Sequence, residues 1–192
     1  LYRSDDLHHW DYLGPLLEGR IDETGHNWEC PNYLTLDSRR LLIFSPEPFR
    51  QAHYYVGDQQ ALRFLPRIHG LLDHGGLYYA PQAFIDEAGR RICFGWLLEG
   101  RTPEAFAAAG WAGVQSLPRM LFLDANGDLV QRPIPELETL RTAHEEVAAG
   151  LWTGRRELDI AGTGLEIDLA LEFKGAEEAG LELLATPDGT ER

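Results

Sequence analysis

Glu29 is the residue of this sequence whose surroundings best suit proton transfer. It sits in the run Trp28-Glu29-Cys30-Pro31-Asn32. A carboxyl flanked by Trp, Cys and Pro is expected to be desolvated, which disfavours its charged form and raises its pKa towards neutrality. A general acid needs that property. Cys30 adds a weak S–H contact able to tune the acid, although cysteine also serves as a small core hydrophobe. The plainer reading of the pentapeptide is a strand-end glutamate facing water beside an aromatic residue, since structural ion-pair sites perturb carboxyls too.

Other chemistries find little support. His8, His9, His26, His53, His69, His74 and His144 lack the paired spacing and third ligand of a zinc site. The chain holds no Gly-rich phosphate loop and no Gly-x-Ser-x-Gly elbow. No metal and no cofactor is therefore expected. The formal charge of −14, from 31 acidic and 17 basic residues, is spread along the sequence, and its basic clusters are pairs such as Arg39-Arg40, Arg90-Arg91 and Arg155-Arg156. Nucleic acid and anionic membrane surfaces are poor partners for such a chain, because binding a polyanion takes a clustered basic face. Cys30 and Cys93 form no disulfide framework and are expected as free buried thiols, which argues for a reducing compartment such as the cytoplasm. No apolar run approaches a membrane span and no leader pattern opens the sequence.

The elements that must hold Glu29 read as β. Tyr33–Leu36, Leu41–Ser45, His53–Val56, Tyr78–Phe84, Arg91–Leu97, Arg119–Leu123 and Leu129–Arg132 are short apolar and aromatic runs. Turn signals at Asp37-Ser38-Arg39, Asp86-Glu87-Ala88-Gly89 and Asp124-Ala125-Asn126-Gly127 separate them, the pattern of paired antiparallel strands. Pro103 to Gly110 is alanine-rich, a composition open to a helical turn, and is read as a loop excursion. Pro133 to Val147 reads as a proline-led acidic connector. Beyond it Leu165, Ile167, Leu169, Leu171 and Phe173 alternate with polar residues, predicting a half-buried strand. The expected organisation is all-β, with a first domain over 1–135, a linker over 136–150 and a second domain from 151 to 192. Leu1-Tyr2-Arg3-Ser4 reads as a strand already under way, and Pro187-Asp188-Gly189 as a closing turn, so both ends look like cuts.

Several motifs, in order, resemble family 32 of the glycoside hydrolases, the invertases, sucrose-6-phosphate hydrolases, levanases and inulinases. They are Leu1 to Leu16, Trp28-Glu-Cys-Pro-Asn32, Leu72-Asp-His-Gly-Gly-Leu-Tyr-Tyr-Ala-Pro-Gln82, Gly89-Arg-Arg-Ile-Cys-Phe-Gly-Trp96 and Gly110-Trp-Ala-Gly-Val-Gln-Ser-Leu-Pro-Arg119. Pro133–Arg141 resembles the link between that family's two domains. The resemblance implies the later blades of a five-bladed β-propeller followed by the start of a β-sandwich, with the site in the propeller's axial funnel. It implies retaining hydrolysis of a β-fructofuranoside such as sucrose, sucrose phosphate or a fructan. Glu29 would be the acid/base, and Asp73, Tyr79, Trp96 and Cys30 would be substrate-pocket residues. For Tyr79 and Trp96 core packing weighs equally, and for Tyr78 and Trp111 it is preferred. Asn32 departs from the aspartate that many members carry.

The family's nucleophile lies in an Asn-Asp-Pro-Asn string and its transition-state-stabilising aspartate in Arg-Asp-Pro, and neither string occurs here. The isolated chain is accordingly expected to be inactive. Two rival readings are a non-catalytic carbohydrate-binding or scaffolding module and a fructosyltransferase piece. Strand edges left open by an incomplete propeller would promote self-association.

Overall fold

The computed structural model describes residues 1–19, 21–162 and 164–183, and two compact units divide at residue 140, Leu1–Leu140 and Arg141–Arg192. In chain order the first unit contains β1 (Tyr2–Arg3), β2 (Asp11–Tyr12), α1 (Ile21–Thr24), β3 (Asn27–Leu36), β4 (Arg39–Glu47), β5 (His53–Gln60) and β6 (Arg63–Leu71). It continues with β7 (Tyr78–Ile85), β8 (Arg91–Leu97), α2 (Pro103–Ala109), β9 (Val114–Gln115), β10 (Arg119–Leu123), β11 (Leu129–Pro133) and a 3₁₀ turn over Pro135–Leu140.

Two antiparallel sheets carry the unit. One runs β3-β4-β5-β6, each strand paired with its successor; the other runs β11-β10-β8-β7, with β9 added to β8. They meet through one apolar core drawn from both, with Leu36, Leu41, Ile43, Val56 and Leu72 from the first sheet and its exit, and Tyr78, Cys93 and Leu121 from the second. The opposite face of the first sheet is covered as well, by Phe44 and Phe64 with Trp28, Tyr33 and Tyr55. This explains why β4 is an unbroken buried run from Leu41 to Pro46, the composition of a central strand with both faces packed. Among the described residues these blade-like sheets do not close into a ring.

The seven expected strands all lie within observed ones. β6 is unanticipated: Arg63, Pro66, Arg67, His69 and Gly70 hide it, and proline is tolerated because β6 is the sheet's outer strand. The loop expected over Pro103–Gly110 is instead helix α2. Thr102 caps it by accepting from the Ala105 N–H at 3.3 Å, Pro103 opens it, and Gly110 closes it at φ 76°. In the second unit, no described residue belongs to a strand. Leu165, Ile167, Leu169, Leu171 and Phe173 are about half exposed. Alternation gives a segment an apolar face, but pairing and burial need a neighbouring strand and a facing sheet, and the described residues of this unit supply neither. The closing turn at 187–189 lies outside the described residues.

A histidine pair marks the covered face of the first sheet. His53 Nδ1 lies 3.0 Å from His69 Nε2, and the buried His53 Nε2 has no hydrogen-bond partner among the described residues. Burial holds the His53 imidazole below its usual pKa, and the neighbouring His69 charge lowers it further; burial lowers His69 too, against the opposing pull of Glu23. Both groups thus take up protons less readily folded than unfolded. Stability is full above the unfolded value of about 6.5 and declines as pH falls through it towards the folded values. The urea midpoint is expected to drop between pH 7.5 and 5.5, with a flatter slope in His69→Gln. An unchanged midpoint would contradict this.

Candidate active site

The sequence builds the same irregularity into two strands. β3 pairs regularly with β4 up to Glu29 opposite Ser45, then shifts register before Asn32; β7 pairs with β8 up to Tyr79 opposite Trp96, then shifts before Gln82. At each shift a left-handed residue precedes a proline: Cys30 at φ 48° before Pro31, and Ala80 at φ 45° before Pro81. Proline offers no N–H to a ladder, so pairing breaks and the preceding side chain is re-aimed. Here the matching bulges turn Glu29 and Tyr79 towards each other, and the Tyr79 hydroxyl donates to Glu29 Oε2 at 2.6 Å.

Asn32 locks this arrangement. Its side-chain NH₂ donates to the carbonyls of Cys30 and Pro81, both at 2.9 Å, and its Oδ1 accepts from the Ala83 N–H at 3.0 Å. Ser45 adds a second tie, its Oγ accepting from the Ala80 N–H at 3.0 Å. Two carbonyl acceptors on one side and an N–H on the other suit an amide in one orientation; a carboxylate supplies no donor for the carbonyls.

The surroundings of Glu29 differ from those its sequence neighbours imply. Trp28 points to the opposite face, where its ring stacks on Phe44 at 4.1 Å and its indole N–H donates to the Thr24 carbonyl at 2.8 Å. Pro31 is exposed and Cys30 only partly buried, against the expectation of a buried thiol there. Cys93 is buried and free. The carboxyl is therefore met by Tyr79 and not wrapped by its neighbours. Burial first, then the hydrogen bond to Glu29 and the charges of Glu29, Glu47 and Cys30, hold the Tyr79 phenol well above its ordinary pKa, so it remains a donor throughout the working pH range.

Glu29, Tyr79 and Trp96 line one hollow of about 490 Å³, together with His26, Glu47, Pro48, Arg50 and Leu98, a size suited to a small ligand. Trp96 is 49% exposed and offers a ring face beside Tyr79, its partner across the ladder. Gly113, at φ 62°, lies flat against that indole, where a Cβ would sit 2.4 Å from Nε1. Gly95 gives Tyr78 its place, since a Cβ there would come within 2.2 Å of the phenol ring.

Asp73 is not among the residues lining the hollow. It pairs with Arg119 at 2.7 Å and accepts from the Gly75 N–H at 2.8 Å, fixing the turn into β7. The Arg119 guanidinium lies 4.4 Å from the Tyr78 ring centre, and Tyr78 is buried in the core as expected. Trp111 is not in the core: it is 55% exposed with the Arg101 guanidinium 3.8 Å from its ring centre. His26, Glu47 and Arg50 were not singled out from the sequence. Their signal is register, because Asn27 lies opposite Glu47, so residues entering β3 and leaving β4 share the end of the sheet that carries Glu29. Among the described residues no group of three or more His, Cys, Asp or Glu could hold a metal ion.

The Glycosyl hydrolases family 32 N-terminal domain matches residues 1–133. A sucrose-6-phosphate hydrolase of Vibrio alginolyticus is 35% identical over 190 residues, covering 88% of this chain and 39% of the relative. One from Escherichia coli is 32% identical over 197 residues, 95% of this chain and 41% of the relative. The chain thus spans about two fifths of these relatives' length. Among solved structures, fructan 1-exohydrolase IIa from Cichorium intybus matches 74% of this chain and 31% of its own, with a TM-score of 0.65 and 31% identity. A Bombyx mori β-fructofuranosidase of the same family, solved with sucrose, matches 74% of this chain and 33% of its own, with a TM-score of 0.64 and 30% identity.

Proposed function

The chain belongs to family 32 of the glycosyl hydrolases, and on that premise we propose that it carries the acid/base half of a fructoside-hydrolysing site, with Glu29 as the proton donor. The observation that carries this reading is the Tyr79–Glu29 hydrogen bond at the wall of a hollow flanked by the exposed face of Trp96. Glu29 protonates the glycosidic oxygen as the bond to the fructosyl carbon breaks, and later takes a proton from the water that frees fructose. Tyr79 orients the carboxyl for both steps. Trp96 supplies an apolar platform for a sugar ring. Asp73 acts through the turn it fixes with Arg119, and Cys30 through the bulge that aims Glu29.

A retaining mechanism requires a nucleophilic carboxylate about 5–5.5 Å from the acid. Glu47 shares the hollow, but its carboxylate is held by the Asn27 amide at 3.3 Å, with His26 at 3.9 Å. The resemblance places the nucleophile in a string that this sequence lacks. The chain by itself is accordingly proposed to be inactive, and residues 151–192 to open the second domain. Its substrate is proposed to be sucrose, a phosphorylated sucrose or a fructan. The free thiols of Cys30 and Cys93 fit a reducing compartment. The outer strands β6 and β11 offer edges for self-association.

The test is a protein completed with the remaining sequence of a relative. Incubated with sucrose and followed by NMR, it is expected to release fructose first as the β-furanose. Binding without release would favour a sugar-binding module, and release with inversion would contradict the mechanism.

A further inference from the structure

The loop that leaves β8 and returns as β9 is closed at one carboxylate. Glu99, just past the end of β8, has both oxygens filled. Its Oε1 accepts from the Arg101 backbone N–H at 2.7 Å and from Arg101 Nε at 2.9 Å, and its Oε2 accepts from Arg101 Nη2 at 2.7 Å and from the Gly113 N–H at 2.9 Å. The bonds from the Arg101 side chain, then those from the backbone N–H groups of Arg101 and Gly113, hold the Glu99 carboxyl down to about 2, so it stays charged at neutral pH. Arg101 completes the closure by donating to the Trp111 carbonyl at 2.9 Å, with its guanidinium over the Trp111 ring. Little else holds the loop down: α2 buries no residue, and both residues of β9 are exposed.

Gly113 is where this clamp meets the sugar platform. Its backbone lies so close to Trp96 that a Cβ would stand 2.4 Å from the indole Nε1, and just beyond it Val114 and Gln115 pair with Leu97 and Trp96. Trp28 is anchored by its indole N–H on the Thr24 carbonyl, whereas the half-exposed Trp96 side chain makes no hydrogen bond and no ring contact among the described residues. The backbone laid against the indole therefore sets its orientation, and Glu99 sets that backbone. Glu99 itself is not among the residues lining the hollow. We infer that Glu99, buttressed by Arg101, is a positioning residue of the fructoside site, acting through Gly113 to hold the Trp96 ring face ready for a sugar. This rests on the fructosidase reading of Glu29 and on Trp96 as its platform. A ring already held in one orientation loses less freedom when a sugar stacks on it, so the clamp acts on affinity and not on proton transfer.

Fluorine NMR tests the clamp without any sugar. In the 192-residue chain labelled with 5-fluorotryptophan, the Trp96 resonance is identified by its loss in Trp96→Leu. Glu99→Leu is expected to narrow that resonance and move it towards the shift of free 5-fluorotryptophan, with circular dichroism verifying the fold. Glu99→Gln, which keeps one acceptor oxygen, should move it part of the way, and carries the test should Glu99→Leu not fold. An unmoved resonance would overturn the inference. In a protein completed with the remaining sequence of a relative, Glu99→Leu should raise KM for sucrose roughly three- to tenfold while kcat changes less than about twofold. Trp96→Leu should raise KM as well, and the double variant no further than Trp96→Leu alone, because a residue acting through another adds nothing once that other is gone. KM effects that multiply in the double variant would show that Glu99 does not act through Trp96. If the unaltered completed protein releases no fructose, the fructosidase reading falls and this role with it, whatever the resonance does.

Discussion

Glu29→Gln, introduced into a protein completed with the remaining sequence of a relative, is expected to lower kcat for fructose release from sucrose by about 10²–10⁴-fold, the usual scale of general acid–base catalysis. Glutamine fills the same space and still accepts from Tyr79, whose hydroxyl stands 2.6 Å from Oε2, but it has no proton to give the departing oxygen. The loss should therefore fall on kcat with KM little changed, separating lost chemistry from lost binding. Tyr79→Phe removes the orienting contact and leaves the acid, so its expected loss is smaller, about tenfold. A Glu29→Gln protein with unaltered kcat would contradict the assignment of the donor.

Asn32→Leu is expected to destabilise the first unit severely. Its amide makes three hydrogen bonds, one within β3 to the Cys30 carbonyl and two that tie β3 to β7 across the two sheets; leucine leaves the Cys30 carbonyl and the Ala83 N–H without those partners, while the Pro81 carbonyl keeps the Gln82 amide. Each unsatisfied buried group costs about 1–3 kcal/mol, so for the two groups roughly 2–6 kcal/mol is expected in total, against a global stability of about 5–15 kcal/mol. Chemical denaturation followed by tryptophan fluorescence measures it. A loss under about 1 kcal/mol would mean that the two bulges hold their shape without the amide.

The strands were legible where both faces or one face had to be apolar, as in the run Leu41–Pro46 of β4. They were not legible at the edge, where β6 carries Pro66 and charged residues that only an outer strand tolerates. Helix α2 was missed because its signal lies in its caps, Thr102 and Gly110, outside the alanine-rich run itself. At the site, Glu29 was legible as a candidate acid from its motif, while the surroundings expected from its sequence neighbours are not those the fold gives it. Strand alternation sends Trp28 to the other face, and the group that meets the carboxyl is Tyr79, 50 residues away in sequence. Local composition cannot show such a contact. Nor can it show that the Gly-Trp and Gly-Val-Gln-Ser motifs serve packing, with Gly95 making room for Tyr78 and Gly113 for Trp96. Asp73 illustrates the converse, a polar residue in a shared motif whose charge is spent on Arg119.

The two-step chemistry offers the most direct test of whether Glu29 is a proton donor. A nitrophenyl fructoside has a leaving group that departs without protonation, whereas sucrose does not. In the completed Glu29→Gln protein, the account predicts a burst of one nitrophenolate per enzyme followed by slow turnover, because the fructosyl group is transferred and then waits for a base to activate water. Sucrose under the same conditions should give almost no product. An equal loss on both substrates with no burst would show that the carboxyl of Glu29 does not serve the departing oxygen.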